Sequence, residues 1–133
     1  GNVVILDFFA HWCGPCIASF PDMKQLYADY KDKGLRVVGI TTYYGYYKTE
    51  NTQKRDMPKD TEFAKMGDFI KDYALPWPVA YGDRTNFDAF GVTGIPHVVV
   101  IDRKGAVHKI HVGYSKASFE AFRKEVEALI AEK

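Results

Sequence analysis

The sequence predicts an α/β fold, with a mixed central sheet and helices on both of its faces. Three observations predict it. Short runs of branched and aromatic apolar residues, the mark of buried strands, recur at residues 2–9, 35–41 and 97–101. Between and after them come stretches with apolar residues at helical spacing. The strand–helix–strand order then gives way to a hairpin and a last helix, so parallel and antiparallel pairing share one sheet.

Each element has its own local reason. Residues 2–9 are a continuous apolar run broken only by Asp7. From Cys16 to about Lys33, Ile17, Phe20, Leu26, Tyr27 and Tyr30 recur near a helical period, Gly34 closes the helix, and Pro21 inside it should bend it. Leu35 to Thr41 is a second buried strand. Residues 43–59 read as a loop, with Tyr43, Tyr44, Tyr46 and Tyr47 around Gly45 and a charged, solvated stretch from Lys48 to Lys59. Asp60 or Thr61 is the expected cap of a helix to about Tyr73, with Phe63, Met66, Phe69 and Ile70 as its apolar stripe. Trp77 to Tyr81 reads as a short strand and Thr85 to Phe90 as a short helix. His97 to Ile101 is a strongly apolar strand, turned back at Asp102 to Gly105 onto Val107 to Val112. Ser115 caps a final helix with Phe119, Phe122, Val126, Leu129 and Ile130 on one face.

Bulk properties narrow the function classes. The 133 residues match one domain and need no staples to bury a core. A net charge of +1 leaves no electrostatic footprint for nucleic acid or for an acidic membrane. No apolar run approaches the ~20 residues of a membrane span. Gly1 leads almost at once into a strand, so the expectation is a segment excised from a longer protein, with a leader, anchor or further domain removed.

The two cysteines, Cys13 and Cys16, are three positions apart. A disulfide closing so short a loop removes little unfolded-state entropy, so the pair reads as chemistry rather than as a staple. A strand ends at Ala10 and a helix begins within Cys13-Gly14-Pro15-Cys16. Cys13 then sits where free N–H groups and the helix dipole favour an anion, which makes it the attacking thiolate. Gly14 adds little bulk, and Pro15 fits the first turn, where a missing N–H costs nothing. Cys16, one turn on, is within bridging distance and can resolve a mixed disulfide on Cys13. Trp12 shields the pair and offers partners an apolar contact. Zinc is the competing reading, but it normally takes four ligands, and His11, His97, His108 and His111 have no finger spacing.

Two further residues draw attention. Asp7 shares a strand face with Val3, Ile5 and Phe9, where a carboxylate is costly unless paired or neutral. A raised pKa there suits a shuttle for the Cys16 proton; the plainer reading is a carboxyl satisfied by a buried water or hydroxyl. Pro96, in Gly94-Ile95-Pro96, stands where a strand would want a donor and so marks a special turn, although spacing alone favours a trans bond.

Taken together these residues resemble the thioredoxin superfamily over nearly the whole chain. Leu6-Asp7-Phe8-Phe9-Ala10-His11-Trp12-Cys13-Gly14-Pro15-Cys16 is similar to the thioredoxin active-site segment, Pro21 falls at its helix-kink proline, and Val112-Gly113 with Ser115-Lys116 resembles the approach to its last helix. The match of Gly94-Ile95-Pro96 implies a cis bond at Pro96, facing the cysteines. The insertion at about residues 43–86, with Pro76-Trp77-Pro78-Val79 and Phe87-Asp88-Ala89-Phe90-Gly91-Val92, is similar to the TlpA/ResA-like group, as is Val100-Ile101-Asp102 with Lys104-Gly105. That resemblance implies one thioredoxin-like domain over 1–133 with an extra βα-type insertion. It also implies an extracytoplasmic or membrane-anchored setting. The chain departs from thioredoxin in having no Lys within Leu35–Thr42 to pair with Asp7, and in having His97 after the proline.

The function expected is disulfide exchange with protein partners, as a reductant. Cys13 attacks, Cys16 resolves and Asp7 assists proton transfer, while Ile95 and Pro96 offer backbone groups to an extended substrate strand. Disulfide- or dithiol-bearing proteins and an upstream electron donor are the expected partners of a monomer without cofactor, metal, nucleic acid or membrane contact. The rivals are a thiol peroxidase and a metal- or partner-binding module that keeps its dithiol as a ligand pair. His97 reads as a tuning residue or as a strand-edge histidine with one hydrogen bond. His11 reads as exposed, its cation lowering the Cys13 pKa. His108 and His111 read as solvated, and the tyrosines at 43–47 as a partner-binding rim or a loop packed on itself.

Overall fold

The computed structural model describes residues 1–132. Five strands form one sheet in the order β3-β2-β1-β4-β5. Strand β1 (Val3–Phe8) pairs in parallel with β2 (Leu35–Thr42), which pairs in parallel with β3 (Val79–Gly82). On its other edge β1 pairs antiparallel with β4 (His97–Ile101), which carries β5 (Val107–Val112) as a hairpin. The apolar run at the amino end is thus the middle of the sheet, which is why it lacks the alternation of a half-exposed strand.

The two faces of β1 meet different cores. Val3 and Ile5, with Phe9, join Phe20, Met23 and Leu26 of α1 (Gly14–Tyr30) and Phe122, Val126 and Leu129 of α4 (Lys116–Ala131). Phe69 of α2 (Lys59–Asp72) joins the same core and stacks on Phe9 with ring centroids 5.7 Å apart. Phe8 of the opposite face packs with Ile40, Val99, Val92 and Phe87, the last from the short α3 (Thr85–Ala89). Helices therefore cover both faces, as the sequence pattern requires. Among the described residues no helix is long and apolar enough to cross a membrane.

Several boundaries differ from expectation for local reasons. Helix α1 starts at Gly14 and gives way to a 3-10 turn at Lys31–Lys33, closed by Gly34 at φ +100°. Helix α2 is preceded by Pro58 in extended geometry, not capped by Asp60 or Thr61; the Asp60 carboxylate accepts only the neighbouring Thr61 N–H at 2.9 Å. Its buried face is Glu62, Met66 and Phe69, which leaves Phe63 59% exposed beside Tyr81. Strand β3 begins only at Val79, because Pro76 and Pro78 flank Trp77 and cannot donate to a ladder. Trp77 is buried against Tyr27 instead. Ser115 does cap α4, accepting the Ser118 N–H at 3.1 Å while Ser118 Oγ accepts the Ser115 N–H at 3.0 Å.

Urea unfolding tests this core. Phe69→Ala should cost about 3–5 kcal/mol, the loss for a buried phenylalanine. Ser115→Ala should cost about 1 kcal/mol, the value of one cap. A loss for Phe69→Ala no larger than the cap's would place α2 outside the core.

Candidate active site

The end of β1 delivers the cysteine pair. After Phe8 the chain makes a single turn, in which Cys13 N–H donates to the Ala10 carbonyl at 3.1 Å, and α1 begins at Gly14. Cys13 is the N-cap residue. Its Sγ accepts the Cys16 N–H at 3.2 Å, so a sulfur stands where an oxygen cap usually does. Pro15 lies in the first turn, as its missing donor favours. Cys13 and Cys16 form a disulfide with their Cα atoms 5.3 Å apart. Cys16 is wholly buried and Cys13 nearly so, whereas Trp12 beside them is 49% exposed.

Asp7 is 1% exposed, and neither carboxyl oxygen has a hydrogen-bond partner among the described residues. It sits on the β1 face whose neighbours Ile5 and Phe9 share a core with Cys16. Opposite it on β2 is Gly39, which brings no side chain to pair with it, and Thr41 follows two residues on along the same face. Burial alone pushes the Asp7 carboxyl up to about 7.

The cis Ile95–Pro96 bond precedes β4, whose register sets His97 opposite Phe8. Pro96 therefore follows alongside the segment leading to Cys13. Ile95 and Trp12 line one cavity of about 300 Å³, together with Tyr44, Arg84 and Phe87. A cavity of about 510 Å³ beside Gly1 and Arg103 lies at the other end of β1 and holds none of the candidate residues.

Both nearby histidines differ from expectation. His11 is buried, not exposed, because the rings of Tyr44, Tyr46 and Tyr47 enclose it at centroid distances of 5.8, 5.0 and 5.1 Å. Burial lowers its pKa, against the opposing pull of Glu62 and of the Tyr46 backbone, and so disfavours the cation. His97 is buried too, on the face opposite Asp7 and edge-on to Phe8 at 5.6 Å; its Nε2 has no partner among the described residues, and burial lowers its pKa. His111 is half-buried over Phe122, while His108 is exposed.

Glu62 is the residue that sequence reasoning missed. It is fully buried, accepts the N–H groups of Tyr44 at 2.9 Å and Gly45 at 2.8 Å, and also takes the Tyr81 hydroxyl. Gly45 sits at φ +80°, and a Cβ there would meet the Arg55 carbonyl oxygen at 2.0 Å. The tyrosine loop is thereby fixed against the site, with Tyr44 edge-on to Trp12 at 5.5 Å. The signal was available: Glu62 lies four and seven positions before Met66 and Phe69, on the buried stripe of α2.

A strand-to-helix turn carrying a Cys-Gly-Pro-Cys disulfide, with a buried acid on that strand and a cis-proline before the neighbouring one, is the geometry of the thioredoxin fold. The Redoxin family profile matches residues 1–130. The chain belongs to the Redoxin family. This Redoxin-family chain is 27% identical over 114 residues to the thiol-disulfide oxidoreductase ResA of Halalkalibacterium halodurans, covering 85% of the chain and 55% of that protein. It is 31% identical over 114 residues to the thioredoxin-like protein YneN of Bacillus subtilis, covering 85% of the chain and 58% of that protein. A solved Chlorobium tepidum structure, proposed to be the thiol:disulfide interchange protein DsbE, superposes with a TM-score of 0.80 at 33% identity, over 98% of this chain and 82% of that one. The chain spans between half and two thirds of the length of the curated relatives named. Its fold is thioredoxin-like and its relatives are those of the TlpA/ResA-like group.

The Asp7 carboxyl makes stability pH-dependent. Its folded pKa lies above the unfolded value of 3.8, so the folded state holds the proton more tightly. The contribution is complete below the unfolded pKa and is lost as pH rises through about 7. Asp7→Asn should therefore flatten the urea stability profile between about pH 4 and 7 and stabilise the protein by roughly 3–5 kcal/mol at pH 8. Parallel profiles for the two proteins would contradict a neutral buried Asp7.

Proposed function

We propose that this chain is a thiol–disulfide oxidoreductase that reduces disulfides in protein partners through Cys13 and Cys16. The observation that carries the reading is the Cys13–Cys16 disulfide at the amino end of α1, with Cys13 Sγ already accepting a backbone N–H. The same N–H and the helix dipole favour a thiolate at Cys13 once the pair is reduced. Gly14-Pro15 between the cysteines is the dipeptide of reducing thioredoxins, which favours the reducing direction. The names of ResA and of the DsbE-type neighbour support the same class of activity.

In the forward cycle the Cys13 thiolate attacks one sulfur of a partner disulfide. A mixed disulfide forms, and the other partner sulfur leaves as a thiolate. Cys16 gives its proton to the Asp7 carboxylate and attacks Cys13 Sγ. The Cys13–Cys16 disulfide forms, the mixed disulfide breaks, and the second partner thiolate leaves. Two electrons pass to the partner, and an upstream dithiol returns them by the reverse steps. A carboxyl poised near 7 exchanges protons readily at neutral pH, which suits Asp7 to this role. Trp12 and the backbone of Ile95 and Pro96 would receive the partner segment as an added strand. We assign the domain to an extracytoplasmic setting, as its resemblance to the TlpA/ResA-like group implies, and take it to act as a monomer.

Cysteine variants test the order of steps. Cys13→Ser should abolish reduction of a protein disulfide, and Cys16→Ser should accumulate a mixed disulfide with the partner on non-reducing gels. Asp7→Asn should slow resolution of that species roughly 100-fold, as expected for loss of a general base, without preventing its formation. Trapping by Cys13→Ser rather than Cys16→Ser would reverse the roles of the two thiols.

A further inference from the structure

Exchange at Cys13 requires no charged side chain beside Trp12, yet one stands there. The cavity of about 300 Å³ has walls from Trp12, Tyr44, Phe87 and Ile95, and Arg84 is its one charged lining residue. The guanidinium lies over the Phe87 ring, with Cζ 5.2 Å from the centroid. Among the described residues it takes part in no salt bridge. Neither adjacent acid competes for it inside the cavity: Asp83 and Asp88 do not line it, and the Asp83 carboxylate accepts the Thr85 N–H at 2.9 Å.

Tyr44 lines the same cavity as Arg84. Burial raises the Tyr44 phenol pKa and the neighbouring Arg84 charge lowers it. Tyr44 is in turn held by the Glu62 carboxylate through its own N–H and that of Gly45. A largely apolar slot with one guanidinium in its lining suits a short methylene stem that carries a carboxylate. The planar fork donates paired N–H groups to such a group and repels a basic one.

We propose that this cavity is a subsite for an acidic side chain, Asp or Glu, on the partner segment that carries the reacting cysteine, and that Arg84 sets this specificity. The assignment rests on the exchange reading of Cys13 and Cys16. Ile95 lines the slot and also borders the proposed strand-addition track, so a residue close to the partner cysteine would reach it.

The experiment uses the reduced full chain and single-cysteine peptides, each blocked as a mixed disulfide with 2-mercaptoethanol and carrying Glu, Gln or Lys at a position flanking the cysteine. Second-order rate constants are read by stopped flow. Wild-type protein should favour Glu over Gln at one flanking position by about fivefold to tenfold, the scale of one charge-assisted contact. Arg84→Ala should bring that ratio close to one, and Arg84→Glu should transfer the preference to the Lys peptide at the same position. Equal rates for Glu and Gln at every position, or a preference that survives Arg84→Ala, would overturn the subsite while leaving exchange intact. Failure of every peptide to react would overturn the exchange reading, and the subsite with it.

Discussion

Strand β1 is hydrogen-bonded along both edges, to β2 on one side and β4 on the other. Where it ends, the chain has nowhere to go but over the edge of the sheet, and helix α1 starts within a single turn. That junction fixes the position of Cys13, aims the Cys16 N–H at its sulfur and buries Cys16 one turn inside. The acid at Asp7 comes from the same strand, two residues before the end of the apolar run. It is isolated because its β2 neighbour is Gly39 and the surrounding side chains are apolar. Position, polarity and proton affinity of the site thus descend from one centrally paired strand.

The insertion adds a second layer to that design. Helix α2 contributes Phe69 to the main core, and this anchors it well enough to hold a fully buried carboxylate at Glu62. A buried acid is costly alone, and Glu62 is offset by two backbone donors and the Tyr81 hydroxyl. Its two backbone donors belong to the loop that touches Trp12 and encloses His11. The polar core of the insertion is therefore coupled physically to the rim of the disulfide site, which gives the extra segment a role beyond bulk.

Much of this was legible in the sequence. The strand runs, the Ser115 cap and the stripe of α4 depend on near neighbours, and near neighbours are what periodicity reads. Asp7 stood out because a lone acid in an apolar run has few explanations. The misreadings share a cause. The cap of α2, the start of β3 and the burial of His11 are each decided by residues distant in sequence or by backbone donors that prolines remove. Nothing around His11 announces that three tyrosines more than thirty positions later will cover it. Glu62 was overlooked because an acidic residue on a helix is ordinarily solvated, and Phe63 next to it drew the stripe one position out of phase.

The central claim is that this junction stabilises Cys13 as the thiolate of a reducing dithiol. Its most direct test is the reduction potential of the Cys13–Cys16 pair, measured by equilibrating the protein with defined thiol buffers at neutral pH. A reductant built on this geometry should lie near thioredoxin's value of roughly −270 mV. A value of roughly −120 to −180 mV, the range of strong oxidants and isomerases, would contradict it.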